Sequence, residues 1–189
     1  MAVPSFTATN ILPPYVGIWP EQPLGFSPYP ASIIEVVNQF GSSPARRAIL
    51  VGLIRLRSRL RALDVTIERQ WLDGSFMEAI ELSEGRDPGD IDVMSFVRRP
   101  AVAKSDLDFE ALVHANLDVF SPPLAKANFK CDHYLQDLDL GIDIDSICYW
   151  NAVFSHRRNG VWKGFVQVTD EGDRVDQELL GQILAQGIV

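Results

Sequence analysis

Proline placement constrains this chain more than any other feature. Seven of the twelve prolines fall within the first thirty residues. Proline holds φ near the polyproline value and has no backbone N–H, so residues 1–30 cannot be helical. Phe6, Tyr15, Trp19, Phe26 and Tyr29 are interleaved with these prolines. Leaving such rings in water is costly, which predicts an extended Pro-rich arm lying along the body of the protein. A partner-binding tail is the other use of such a segment. The remainder, 31–189, is long enough for one domain with a sizeable core.

Within that body the helix signals come first. Ser32 can cap a short helix ending near Phe40, and Gly41-Ser42-Ser43-Pro44 stops it and starts another, with Ser43 as N-cap and Pro44 at the first helical position. Ile49, Leu53, Leu56, Leu60 and Leu63 recur at helical spacing and form one buried stripe. Arg46, Arg47, Arg55, Arg57, Arg59 and Arg61 take up the remaining arc. They are spread too widely for a single docking stripe and read as a solvated face rather than a nucleic-acid surface. Residues 106–120 form an amphipathic helix with Phe109, Leu112, Val113, Leu117 and Phe120 inward, stopped by Pro122-Pro123. Val175, Leu179, Leu180, Ile183 and Leu184 predict a closing helix.

Strands are expected at 65–71, 91–97, 129–135 and 162–169, where β-formers alternate or cluster. Segment 142–154 fits strand or helix. Strands and helices without a strict βαβ rhythm indicate an α/β (α+β) domain with a mixed sheet flanked by helices.

Composition excludes some classes of function. With 47% apolar and 22% charged residues the chain has globular composition. It lacks the uninterrupted apolar run of roughly 18–20 residues that a membrane span requires. The N-terminus lacks the basic and apolar regions of a secretory signal, so a cytoplasmic location without membrane partners is expected. Cys131 and Cys148 have no CxxC spacing and read as buried free thiols. A net charge of −8 disfavours a surface that tracks a nucleic-acid backbone, leaving only a local basic patch open.

The chemistry lies between Trp71 and Val97. A Gly-Ser pair, Gly74-Ser75, ends a strand, and Asp90-Ile91-Asp92 opens the next. Residues two apart on a strand project from one face, so Asp90 and Asp92 can aim both carboxylates at one divalent cation. Hard oxygen donors suit Mg²⁺, which takes one or two protein carboxylates and completes its shell with water and phosphate oxygens; Mn²⁺ fits the same donors. Gly74 leaves room for a phosphate, and Ser75 offers a hydroxyl and an N–H to its oxygens. Arg86, in the intervening loop, and Arg158 and Lys163, around the Asn159-Gly160 turn, supply counter-charge for a triphosphate. His114, His133 and His156 lack metal-ligand spacing and read as structural or surface residues.

Trp71-Leu-Asp-Gly-Ser-Phe76 followed by Pro88-Gly-Asp-Ile-Asp-Val93 resembles the Gly-Ser and Asp-x-Asp signature of the DNA-polymerase-β-like nucleotidyltransferase superfamily. Leu12-Pro-Pro14, Arg46-Arg47 and the stretch from Arg157 to Lys163-Gly164 extend the likeness to a bacterial family within that superfamily known only as a domain of unknown function. The resemblance implies a nucleotidyltransferase-like sheet and a nucleoside triphosphate as donor. It also implies magnesium on the two aspartates plus a third carboxylate from a neighbouring strand. It leaves the acceptor open among small molecules, proteins and RNA. A catalytically silent member acting as a toxin–antitoxin or phage-defence subunit is the alternative. One departure is Phe76-Met77-Glu78, where many small members place a small residue and an early arginine.

Asp132 is the choice for the third carboxylate, because Lys130, Asp132 and Tyr134 alternate with apolar neighbours in a strand that the 106–120 helix would carry beside 91–97. Its carboxylate should then lie within roughly 4–6 Å of the other two. Asp143 and Asp145 form the rival pair, while Asp137 and Asp139 read as turn residues.

Overall fold

The computed structural model describes residues 3–17 and 25–188; Trp19, Pro20 and Pro23 of the expected arm lie outside them. Five strands form one mixed sheet in the order β1-β5-β2-β3-β4. They are β1 (Tyr29–Ala31), β2 (Thr66–Asp73), β3 (Ile91–Arg98), β4 (Cys131–Asp137) and β5 (Val166–Thr169). The outer pairs, β1–β5 and β3–β4, are parallel, and the two inner pairings of β2 are antiparallel. Helices α1 (Ile33–Phe40), α2 (Pro44–Ala62), α3 (Ile80–Glu84), α4 (Asp106–Ala115), α5 (Leu117–Phe120), α6 (Pro122–Phe129), α7 (Ile144–Phe154) and α8 (Asp173–Ala185) flank it. None of these helices is long and apolar enough to cross a membrane.

Local chemistry accounts for the first helices. The Ser32 hydroxyl accepts from the Glu35 N–H while the Glu35 carboxylate accepts from the Ser32 N–H, a reciprocal cap on α1. Ser43 accepts from the Arg46 N–H, and Pro44 opens α2. Alternation on the strands then sorts the core. Leu72, Ile91, Val93, Cys131, Val166 and Val168 face α1, α2 and α8 and form the larger cluster. Trp71, Met94, Phe96 and Phe165 project the other way, onto Phe154 and Trp150 of α7. Residues 29–31, assigned to the arm or its junction from sequence, form the edge strand β1, where a proline costs no interior ladder bond. Among the described residues before it, Ile11 and Leu12 are buried. Leu12 accepts from the Gly164 N–H at 2.8 Å, and Asn10 accepts from the Ala79 N–H at 2.9 Å.

Several boundaries differ from the sequence expectation. The helix at 106–120 breaks at Asn116, whose φ of −132° and ψ of 46° end α4. The broken register exposes Leu117 and buries Val119 instead. Pro122-Pro123 begins α6 rather than only stopping a helix, since proline fits the first turn, where N–H groups have no intrahelical acceptor. The strand expected at 129–135 therefore starts two residues later, after Lys130 turns the chain in a left-handed conformation (φ 56°). Segment 142–154 is a helix capped by Asp143. The strand expected from 162 begins at Val166. Asp137 ends β4 instead of standing in a turn, buried against Arg99.

The arginine face of α2 is mostly not solvated. Arg46 is buried and bonds Glu81 and the carbonyls of Phe76 and Glu78. Arg57 is fully buried against Asp176, Asp170 and Gln70. Arg61 joins the same aspartates and Arg59 meets Asp118, leaving Arg55 as the exposed member of the set. Of the two free cysteines Cys131 is buried, and Cys148 is exposed on α7, contrary to its expected burial. Burial pushes the Cys131 thiol well above its ordinary range.

Candidate functional site

The site forms where β2 ends and β3 and β4 begin, on the aromatic face of the sheet. Asp73 pairs with Asp92 in antiparallel register, and Asp92 pairs with Asp132 in parallel register. Three neighbouring strands thus present a carboxylate at one level. Asp90 stands one residue before β3 and two before Asp92, on the same face. Ligand oxygens of Asp90, Asp92 and Asp132 all lie within 4.8 Å of one another. Asp132 therefore stands where the sequence reading placed it. Asp143 and Asp145 are elsewhere, at the N-terminus of α7, with the Asp143 carboxylate accepting from the Asp145 N–H.

The Gly-Ser turn closes against this cluster. Gly74 has φ +85°, a conformation that favours glycine, and begins a short 3₁₀ turn over Ser75–Met77. A Cβ at Gly74 would sit 3.0 Å from the Asp92 Oδ2, so a side chain would press on the carboxylate as well as strain the backbone. Below the turn, Lys163 is buried between Asp73 at 2.8 Å and Glu78 at 3.2 Å, and donates to the Gly74 carbonyl at 3.3 Å. Arg157 completes the group by donating to Glu78. Lys163 thus holds the turn from beneath.

All eight residues named from sequence, Gly74, Ser75, Arg86, Asp90, Asp92, Asp132, Arg158 and Lys163, line one open cleft of about 750 Å³. Arg86 is exposed and bound to Glu84, and Arg158 is exposed on the turn at the cleft rim. Sequence reasoning missed five contributors. Asp73 and Glu78 sit at the floor, Lys126 reaches in from α6 to bond Asp90, and Tyr134 with Trp150 forms an aromatic wall, ring centroids 4.4 Å apart. Period-two alternation could have found Asp73 on the face of Trp71, and Tyr134 on that of Asp132. Lys126 carried no such signal, because α6 itself was not foreseen.

Electrostatics mark the cluster as short of positive charge. Burial and then the adjacent Asp90 and Asp132 charges push Asp92 up to about 6, against the pull of Lys163 and Lys126. Burial lifts Asp73 to about 7 despite Lys163 beside it. Glu78 is also penalised by burial, but Arg157 and Lys163 more than offset this and hold it below the ordinary carboxylate range. His133 takes no part: it is buried between the Val119 carbonyl and the Ser95 hydroxyl, and burial pulls it down to about 4. His156 lines the cleft with its Nδ1 engaged by the Ala152 carbonyl.

Three carboxylate donors with an open side toward the cleft fit a hard divalent cation that keeps positions for water or phosphate oxygens. No curated protein and no solved structure matches this chain. A family described as "Family of unknown function (DUF6932)" matches residues 4–169, most of the length, and the chain belongs to that family.

Proposed function

We propose that the protein is a metal-dependent nucleotidyltransferase, moving a nucleoside monophosphate from a triphosphate onto a hydroxyl acceptor. The observation that carries this reading is the convergence of Asp90, Asp92 and Asp132 from two parallel strands, facing a glycine turn that a Cβ would fill. It accords with the Gly-Ser and Asp-x-Asp resemblance and with a five-stranded mixed sheet flanked by helices. Asp90, Asp92 and Asp132 would hold Mg²⁺ or Mn²⁺. A bound ion of this kind supplies Lewis-acid neutralisation of phosphate charge.

The chain's own groups have separable tasks. Ser75 lines the cleft beside the carboxylates, where its hydroxyl and N–H can donate to phosphate oxygens, and Gly74 lets a phosphate approach the backbone. Lys163 positions the turn, while Arg158 and Arg86 at the rim draw in the anionic ligand. In the transfer the acceptor oxygen bonds the α-phosphorus, pyrophosphate leaves, and the hydroxyl proton passes to a cluster carboxylate. Calorimetry with each nucleoside triphosphate tests the reading. Binding is expected only with Mg²⁺ or Mn²⁺, because phosphates and three carboxylates repel without a cation. Equal affinity with and without metal would sink it.

One observation favours a second reading, a protein-binding subunit that keeps the fold without transfer. Ile142, just before α7, and Ile144, Tyr149 and Val153 along it leave apolar side chains exposed. Metal-dependent triphosphate binding separates the two readings.

A further inference from the structure

We propose that Lys126 couples the two ligands of the cleft: its ammonium opposes a divalent cation that arrives alone at Asp90, Asp92 and Asp132, and favours the cation together with triphosphate. This rests on the metal-dependent reading above. Lys126 bonds the Asp90 Oδ2 and feels the charges of Asp132 and Asp92 as well, so it stands where an incoming cation would be repelled.

The other cations of the cleft that bond a carboxylate are committed elsewhere. Lys163 is shared by Asp73 and Glu78, Arg157 is bound to Glu78, and Arg86 to Glu84. Lys126 differs because its carboxylate partner is itself a prospective metal ligand. Its backbone is also well fixed. Ala125 is fully buried, and α2 approaches α6 so closely at Gly52 that a Cβ there would lie 1.7 Å from the Phe129 carbonyl oxygen. The side chain, by contrast, is 53% exposed and ends a flexible stem, so it can shift from Asp90 toward a phosphate while the helix stays in place. An ammonium a few ångströms from the cluster raises the energy of a lone cation. It lowers the energy of a metal–triphosphate complex, whose phosphate oxygens carry the excess negative charge.

The effects of Lys126→Met should therefore have opposite signs. Mn²⁺ alone, titrated against the protein and followed by the paramagnetic resonance of free Mn²⁺, should bind about five- to tenfold more tightly than to wild type. Nucleoside triphosphate at saturating Mn²⁺ should bind about tenfold more weakly. Lys126→Arg keeps the charge and should return both affinities toward wild type. A purely structural role would move both in one direction, and that result, or no change in either, overturns the coupling. If wild type binds Mn²⁺ and the Met variant binds it identically, the coupling fails and the metal site stands. If neither protein retains Mn²⁺, the metal reading fails and the coupling falls with it.

Discussion

On one face of the sheet Asp170 and Asp176 meet Arg57 and Arg61; on the other, Asp90, Asp92 and Asp132 meet one another and a single half-exposed lysine. Both groups are built from residues a strand or helix could have buried as apolar side chains. In the first, two guanidiniums face two carboxylates, and Gln70 carries the network on through Ser95 to His133. Its charges are balanced, as buried ions in a structural role must be. In the second, one ammonium bonds a cluster of three carboxylates, and burial together with the neighbouring Asp90 and Asp132 charges raises the Asp92 pKa. An arrangement that costs stability and yet occurs on two adjacent parallel strands accords with the cation site proposed above.

The sharpest test of this contrast removes one member from each group. Arg57→Met should destabilise the protein by about 3–5 kcal/mol, because it removes a fully buried guanidinium from Asp176, Asp170 and Gln70 and leaves Asp176 with Arg61 alone. Urea denaturation measures this, and a loss below about 1 kcal/mol would show that the network is not the structural one. Asp92→Asn should act in the reverse sense, raising the stability of the metal-free protein by about 1–2 kcal/mol by removing a buried charge and its repulsion from Asp90 and Asp132. Mg²⁺ or Mn²⁺ should raise the Tm of the wild type in differential scanning fluorimetry, and the same variant should lose that rise. A destabilised variant that still responds to Mg²⁺ would dissolve the distinction between the two groups.

The pH dependence sharpens it further. Asp92 rises from its ordinary 3.8 to about 6 on folding, so between those values the folded state holds more protons than the unfolded state. Its unfavourable contribution is thus absent below about pH 4 and grows as pH rises to about 6. The stability advantage of Asp92→Asn over wild type should accordingly shrink toward zero as the pH is lowered from 7 to 4, in metal-free denaturation curves. A constant difference across that range would place the repulsion elsewhere. The smallest effect is expected outside both groups. Arg55→Ala, at the exposed member of the α2 set, should change stability by no more than about 0.5 kcal/mol and leave RNA retention in a filter assay unaltered. Salt-dependent RNA binding lost on that change would restore α2 as a nucleic-acid surface.

Much of the molecule was legible from local pattern. Ser32 and Ser43 announced the starts of α1 and α2, and the Asp90/Asp92 spacing placed two carboxylates on one strand face. Each depends on atoms close along the chain, such as a hydroxyl reaching an N–H three residues on, or two side chains on the same side of a pleat. Asp132 was reachable only by adding an assumption about which strands neighbour one another. The double proline misled for a local reason: the same ring that ends one helix fits the first turn of the next.

What tertiary structure alone decided was which charges meet. Nothing near Arg57 in sequence shows that it lies against Asp176, or that Arg46 is sunk against Glu81 while Arg55 remains in water. Helical spacing places these arginines around one cylinder, but burial depends on which elements pack against each side, and those come from distant parts of the chain. Lys126 illustrates the same limit at the site, since it reaches Asp90 only because α6 follows an unforeseen break at Asn116 and leads directly into β4. Local sequence determined the caps and the facing of side chains on each strand, through interactions a few residues in range. The balance of charge on each face of the sheet came from pairings across the chain, which exist only once the strands have found their register and the helices their places.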